Sequence, residues 1–184
     1  AMFYGLKSNG LFDDARGTHM LDSGAHFYDV YETRDGKYIS IGSIEPQFYA
    51  LLKEKAGLDD ATFGEQMNPD RWPEQKKQLE DLFRQKTRDE WCALLEGTDV
   101  CFAPVLGLDE APQHPHNQAR NSFVSVDGVV QHAPTPRFSR STAGTPSSMR
   151  AAGADSEAIL RDAGMDDARI ASLLDSNAVV QRKP

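Results

Sequence analysis

Few residues in this chain have a setting that could do chemistry, and Glu45 is the one whose neighbours single it out. It stands where a pattern of aromatic and β-branched residues ends and Pro46 opens a helical one. A carboxylate at that junction lies beside the positive pole of a helix, where it is held ionised and in a fixed orientation. The plainer reading is that Glu45 merely favours the pole, and local pattern leaves both readings open. His114 and His116, in the run HPH, have the look of a metal pair. No Cys or third ligand lies at supporting spacing, however, and the neighbouring prolines mark a loop, so no metal is expected. Asp22, between His19 and His26, is adequately explained as a turn or cap residue. Cys92 and Cys101 are too few for a disulfide framework and lack CxxC spacing, so both are expected to be reduced and buried, Cys92 in a helix and Cys101 in a strand.

The elements that must position Glu45 can be read along residues 27 to 49, FYDVYETRDGKYISIGSIEPQFY. Residues 27–34 and 37–44 have strand composition. The Asp35-Gly36 pair between them is expected to supply the positive φ angles of a tight hairpin turn. Proline fixes φ near its helical value and lacks the N–H that a first turn leaves unpaired, so a helix is predicted from 46 to about 56, with Phe48, Leu51, Leu52 and Ala56 on one face. Trp72-Pro73 opens a second helix to about Lys86. Thr87 to Glu90 has capping-box spacing before a third, which Gly97 ends. VCFAPV, residues 100–105, reads as a short strand whose proline confines it to an edge or a bulge. Asp127-Gly128 then centres a second hairpin over 123–126 and 129–131.

Before and after this unit the character changes. Residues 1–26 carry four glycines and no sustained periodicity, yet are too apolar for a solvated linker, which predicts a connector lying against another surface. Residues 133–154 turn to Pro, Ser, Thr, Gly and Arg, a linker composition. Residues 156–163 and 166–175 form two short amphipathic helices that need a surface to bury against. The organisation expected is therefore α+β: connector 1–26, a small two-layer domain of antiparallel hairpins and helices at 27–132, linker 133–154 and helical tail 155–184.

Composition narrows the function. The chain has 184 residues, of which 39% are hydrophobic, enough for a core. Twenty Lys plus Arg stand against 28 Asp plus Glu, for a net charge of −8, the wrong sign for attraction to phosphate backbones. No nucleic-acid partner is expected. No apolar run approaches a bilayer span, and the closing QRKP is not a peroxisomal SKL address, so a cytoplasmic protein is expected.

The run from Phe27 to Tyr49, continued through RWPEQKKQLEDLFRQKTRDEWCALLEGTDVCFAPVL and into the tail, resembles the α-methylacyl-CoA racemases of the type III CoA-transferase superfamily. The likeness covers nearly the whole chain. Members of that family are much longer, and this chain looks like their C-terminal half. In them the connector crosses from a large α/β domain to a small one, and the tail returns to pack on the large domain.

What the resemblance implies is a racemase that inverts the α-carbon of 2-methylacyl-CoA thioesters. One base removes the proton, an enolate forms, and a second group returns a proton on the other face, with no metal or redox cofactor. The family's two proton carriers, a His and an Asp, belong to the large domain. Glu45 matches the small-domain glutamate that hydrogen-bonds the catalytic His across an interlocked homodimer. Leu21, Tyr28 and Ile44 would line the acyl site. His26 stands where the family commonly has proline, which argues against a catalytic role for it. A type III CoA-transferase with an upstream Asp nucleophile is the alternative within the superfamily, although Ile44-Glu45-Pro46-Gln47-Phe48 looks like the racemase form of this corner. The other alternative is a non-catalytic folded fragment or assembly module, inactive alone.

Overall fold

The computed structural model describes residues 2–12, 14–144 and 146–182. Contacts divide the chain into two compact units, one ending at Asp109 and the other starting at Glu110. The first unit holds α1 (Met2–Ser8), β1 (Tyr28–Glu32), β2 (Tyr38–Gly42), α2 (Pro46–Ala56), α3 (Asp60–Phe63), α4 (Trp72–Phe83), α5 (Arg88–Leu95) and β3 (Phe102–Val105). The expected connector thus contains a helix, α1, which its lack of periodicity did not announce.

The three strands form one antiparallel sheet in the order β1-β2-β3, with Tyr31 opposite Ile39 and Ile39 opposite Pro104. Pro104 therefore sits on an edge strand, where its missing N–H costs no second ladder bond. Alternation sends Tyr31, Ile39 and Ile41 to one face. There they meet Leu52 of α2, Leu79 and Phe83 of α4, and Trp91 and Leu95 of α5 in a single core.

The joint between β1 and β2 is not the two-residue turn that Asp35-Gly36 suggests. The strands end at Glu32 and resume at Tyr38, and Gly36 alone takes positive φ, at 70°. Gly36 N–H donates to Thr33 O at 3.0 Å and Thr33 N–H donates to Lys37 O at 2.8 Å, closing a longer loop. The reason is tertiary. The Asp35 carboxylate accepts from Thr33 Oγ1 at 2.6 Å and from the backbone N–H of Arg88 at 3.0 Å, so it ties the hairpin to the start of α5. Those hydrogen bonds hold its carboxyl below the usual carboxylate range.

Helix α5 begins with the capping box its sequence spells. Glu90 N–H donates to Thr87 Oγ1 at 3.2 Å and Thr87 N–H donates to Glu90 Oε2 at 2.7 Å. Thr87→Ala removes one half of this exchange. A loss of about 1 kcal/mol in chemical unfolding is expected, and Thr87→Ser should restore most of it.

His26 is the buried polar residue whose position the sequence did not signal. It is fully buried, edge-on to Phe27 at 5.1 Å and to Tyr49 at 5.5 Å. Its Nε2 lies 2.7 Å from Tyr49 Oη, which donates onward to Phe63 O at 2.9 Å, so Nε2 carries the proton and donates to the hydroxyl. Burial holds its pKa down at about 4, against an ordinary 6.5. The folded unit therefore keeps the ring neutral while the unfolded chain protonates it. Stability is fully present above pH 6.5 and falls as pH drops toward 4, by up to about 3 kcal/mol. Urea unfolding at pH 7.0 and 4.5 reads this directly, and in His26→Asn the slope over that interval should flatten.

The second unit holds a 3-10 turn (Ala111–Gln113), α6 (Pro115–Ala119), β4 (Phe123–Val126), β5 (Val129–His132), α7 (Ser156–Asp162) and α8 (Asp167–Asp175). β4 and β5 pair antiparallel, and here the Asp-Gly turn is the tight one: Asp127 and Gly128 both take positive φ, 49° and 79°. This second hairpin groups with the tail rather than with the first sheet, so the contact boundary at 109/110 differs from the boundary at 132 drawn from composition. Among the described residues no helix is long and apolar enough to cross a membrane.

Candidate active site

The corner between β2 and α2 is built to present Glu45. Ser43 is fully buried; its N–H donates to Phe27 O at 3.0 Å and its Oγ donates to Val100 O at 2.6 Å. These bonds pin the residue after β2 to the residue before β1 and to Val100, two residues ahead of β3. Glu45 is the residue that caps α2 with extended backbone, φ −70° and ψ 142°, and its carbonyl accepts Tyr49 N–H at 3.0 Å. Its carboxylate makes no cap bond and stands exposed at the positive end of an 11-residue helix. An ionised oxygen pair so placed can accept a hydrogen bond from a group approaching from outside.

Next to this corner, the open face of the sheet forms a cavity of about 470 Å³, whose lining includes Leu21, Tyr28, Gly42, Cys101 and Phe102. Tyr28 pairs with Gly42, and a Cβ there would lie 3.5 Å from the Tyr28 ring, so the ring lies over the glycine. Leu21 is carried in by the connector. Asp22 accepts His19 N–H at 2.7 Å and Gly17 N–H at 3.0 Å, while Leu21 N–H donates to His19 Nδ1 at 3.2 Å. These bonds shape the loop that places Leu21.

Of the three apolar residues expected to line an acyl site, Leu21 and Tyr28 thus share one cavity. Ile44 does not line it; it is half-buried and packs on the core. Cys101 does line it, a position the sequence did not suggest. The residue is exposed rather than buried and precedes β3 rather than lying within it, because its backbone turns to φ 57°. Its thiol is pushed up by partial burial and then by the carboxylates of Glu45 and Asp99. Cys92 is half-buried, and both cysteines are reduced.

A second cavity, of about 440 Å³, lies where Leu6, Leu11, Phe12 and Met20 of the connector face Met67 and Trp72. The connector thus meets Met67 and Trp72 at this cavity, while α1 buries none of its residues and Met2, Phe3, Tyr4 and Leu11 stay exposed. His114 caps α6 and His116 is in its first turn. Among the described residues no three His, Cys, Asp or Glu side chains cluster as a metal would need.

Residues 6–155 match the family described as CoA-transferase family III. The chain is 42% identical over 168 residues to a mouse (Mus musculus) protein named α-methylacyl-CoA racemase, covering 89% of this chain and 44% of that one. It is 46% identical over 127 residues to the human (Homo sapiens) protein of the same name, covering 68% of this chain and 33% of that one. It therefore spans less than half the length of these relatives. Among solved structures, Rv3272 from M. tuberculosis shares the fold with a TM-score of 0.55 at 19% identity, over 78% of this chain and 40% of that one.

Proposed function

Since the chain belongs to CoA-transferase family III, we propose that it is the C-terminal part of an α-methylacyl-CoA racemase, a cytoplasmic isomerase of acyl-CoA thioesters. The observation that carries this reading is the 42% identity to a protein of that name along 89% of the chain. In the reaction, a base takes the α-proton of the 2-methylacyl thioester. The resulting enolate oxygen is held by hydrogen-bond donors, and a second group delivers a proton to the opposite face. Both proton carriers, a His and an Asp, would come from the half of the protein that precedes these residues.

This chain's own contribution is Glu45. Its carboxylate would accept a hydrogen bond from the catalytic imidazole of the other subunit of an interlocked homodimer. That bond fixes the ring's tautomer and supports the positive charge the ring takes up with the proton. Leu21 and Tyr28 would contact the acyl group, with Ile44 packed on the core behind the same corner. The arrangement asks for proton carriers and oxyanion donors alone. Alone, the chain is expected to be an inactive folded module.

The two activities of the superfamily separate in one assay. The 184-residue chain is mixed with the family's N-terminal half and given an optically pure 2-methylacyl-CoA together with a free carboxylic acid. A racemase makes the thioester racemic and leaves CoA on its original acyl group. Transfer of CoA to the added acid without racemisation would overturn the reading in favour of a transferase.

A further inference from the structure

The Glu45 corner is braced from a segment that the proposed reaction does not otherwise use. Gln66 lies beyond α3, and its side-chain Nε2 donates two hydrogen bonds, to Ser43 O at 3.0 Å and to Ile44 O at 2.9 Å. One amide nitrogen carries two hydrogens, and two successive carbonyls take them, so neither donor is left over. The Ile44 carbonyl shares a rigid peptide plane with the Glu45 nitrogen, so fixing that oxygen fixes the plane from which Glu45 departs. The Ser43 carbonyl shares its plane with the Ile44 nitrogen, whose N–H donates to Gly42 O at 2.9 Å. The last two peptide planes before Glu45 are therefore held together.

Gln66 is itself anchored. Its backbone carbonyl accepts from Trp72 Nε1 at 2.8 Å, and Trp72 is buried edge-on to Phe27, with ring centres 6.0 Å apart. A path of named contacts thus runs from the core through Trp72 and Gln66 to the backbone that carries the Glu45 side chain. Gln66 is half-buried, and its side-chain amide reaches the corner through two main-chain oxygens. A side chain with two donors, and not merely one of this size, is what the site uses.

From this geometry we infer that Gln66 is a positioning residue for Glu45: its forked amide sets the direction in which the carboxylate reaches for the partner's imidazole. The inference rests on the racemase reading above. Misplacing a positioned catalytic partner by about 1 Å can cost on the order of 100-fold in rate, so a brace on the backbone has leverage far beyond its own stability effect.

Two variants isolate the donors from the packing. Gln66→Glu keeps the shape and turns the two donors into acceptors facing carbonyls, and Gln66→Met keeps the bulk without hydrogen bonds. In the mixture with the N-terminal half, both should lower kcat for α-proton exchange about 10- to 100-fold with KM little changed. In a Glu45→Gln background they should cost nothing more, because the group they position is gone. If Glu45→Gln slows exchange and the Gln66 variants do not, the inference fails while the racemase reading stands. Additive losses also overturn it, since Gln66 would then act by another route. If Glu45→Gln itself leaves exchange unchanged, the Glu45 role fails and the positioning inference fails with it.

A measurement on the chain by itself reads the brace without any turnover. Backbone ¹⁵N relaxation should show order at Ile44, Glu45 and Gln47 falling in Gln66→Met while β1 and α4 stay rigid. Unchanged order at those three residues would overturn the inference whatever the mixture does.

Discussion

Glu45→Gln is expected to slow α-proton exchange by about 100-fold or more in the mixture with the N-terminal half, while leaving the fold almost untouched. The amide keeps the size of the carboxylate and loses its charge. It can neither stabilise an imidazole that is gaining a proton nor select the tautomer as firmly. The fold should tolerate the change because the side chain is exposed and makes no cap bond to α2. The remaining structural effect is loss of a favourable charge at a helix pole, at most about 1 kcal/mol. The two readings of Glu45 therefore separate cleanly. A helix-pole role moves the unfolding midpoint and spares the rate; a catalytic-partner role does the reverse. Melting and exchange measured on the same preparation decide between them.

The largest effect on stability is expected at Trp91. Its ring is 1% exposed, meets Phe83 edge-on at 5.0 Å and carries Lys86 Nζ 4.8 Å from its centre. Its Nε1 donates to Phe83 O at 2.9 Å, closing the end of α4 onto α5. Trp91→Ala should cost about 3 to 5 kcal/mol through the cavity it leaves. That is a large share of the roughly 5 to 15 kcal/mol that holds a domain of this size together. Trp91→Phe keeps most of the packing and strands the Phe83 carbonyl, a cost of about 1 to 3 kcal/mol. Denaturant unfolding should rank the native chain first, then the Phe variant, then the Ala variant. Equal losses for both variants would mean that the hydrogen bond, and not the ring volume, carries the effect.

Much of this was legible because local rules and tertiary demands agree. Helix α2 runs from Pro46 to Ala56 as Pro46 and the apolar spacing predict. The capping box at Thr87, the edge placement of Pro104 and the tight turn at Asp127-Gly128 follow in the same way. Where reading failed, a distant partner had taken over. Asp35 resembles Asp127 in its sequence setting, but its carboxylate bonds to the backbone of Arg88, and the turn lengthens to allow it. Cys101 looked like a buried strand residue, yet its positive φ turns it out to the sheet's open face.

The candidate site shows the same division. Glu45 was visible because Pro46 fixes the helix start beside it. Gln66 was not, since nothing within 20 residues of it in sequence names the carbonyls of Ser43 and Ile44 as its partners. His26 gave little signal either; its burial follows from the aromatic side chains of Phe27, Tyr49 and Phe63 closing round it.

The central claim is that these residues complete a racemase by lending Glu45 to proton carriers that lie elsewhere. It is tested most directly by following loss of the α-proton of a 2-methylacyl-CoA in deuterated water by NMR. Three samples are compared: the 184-residue chain, the family's N-terminal half, and the two together. The account predicts exchange in the mixture alone. Exchange by the chain by itself would contradict it, since a base sufficient for the chemistry would then lie within these residues.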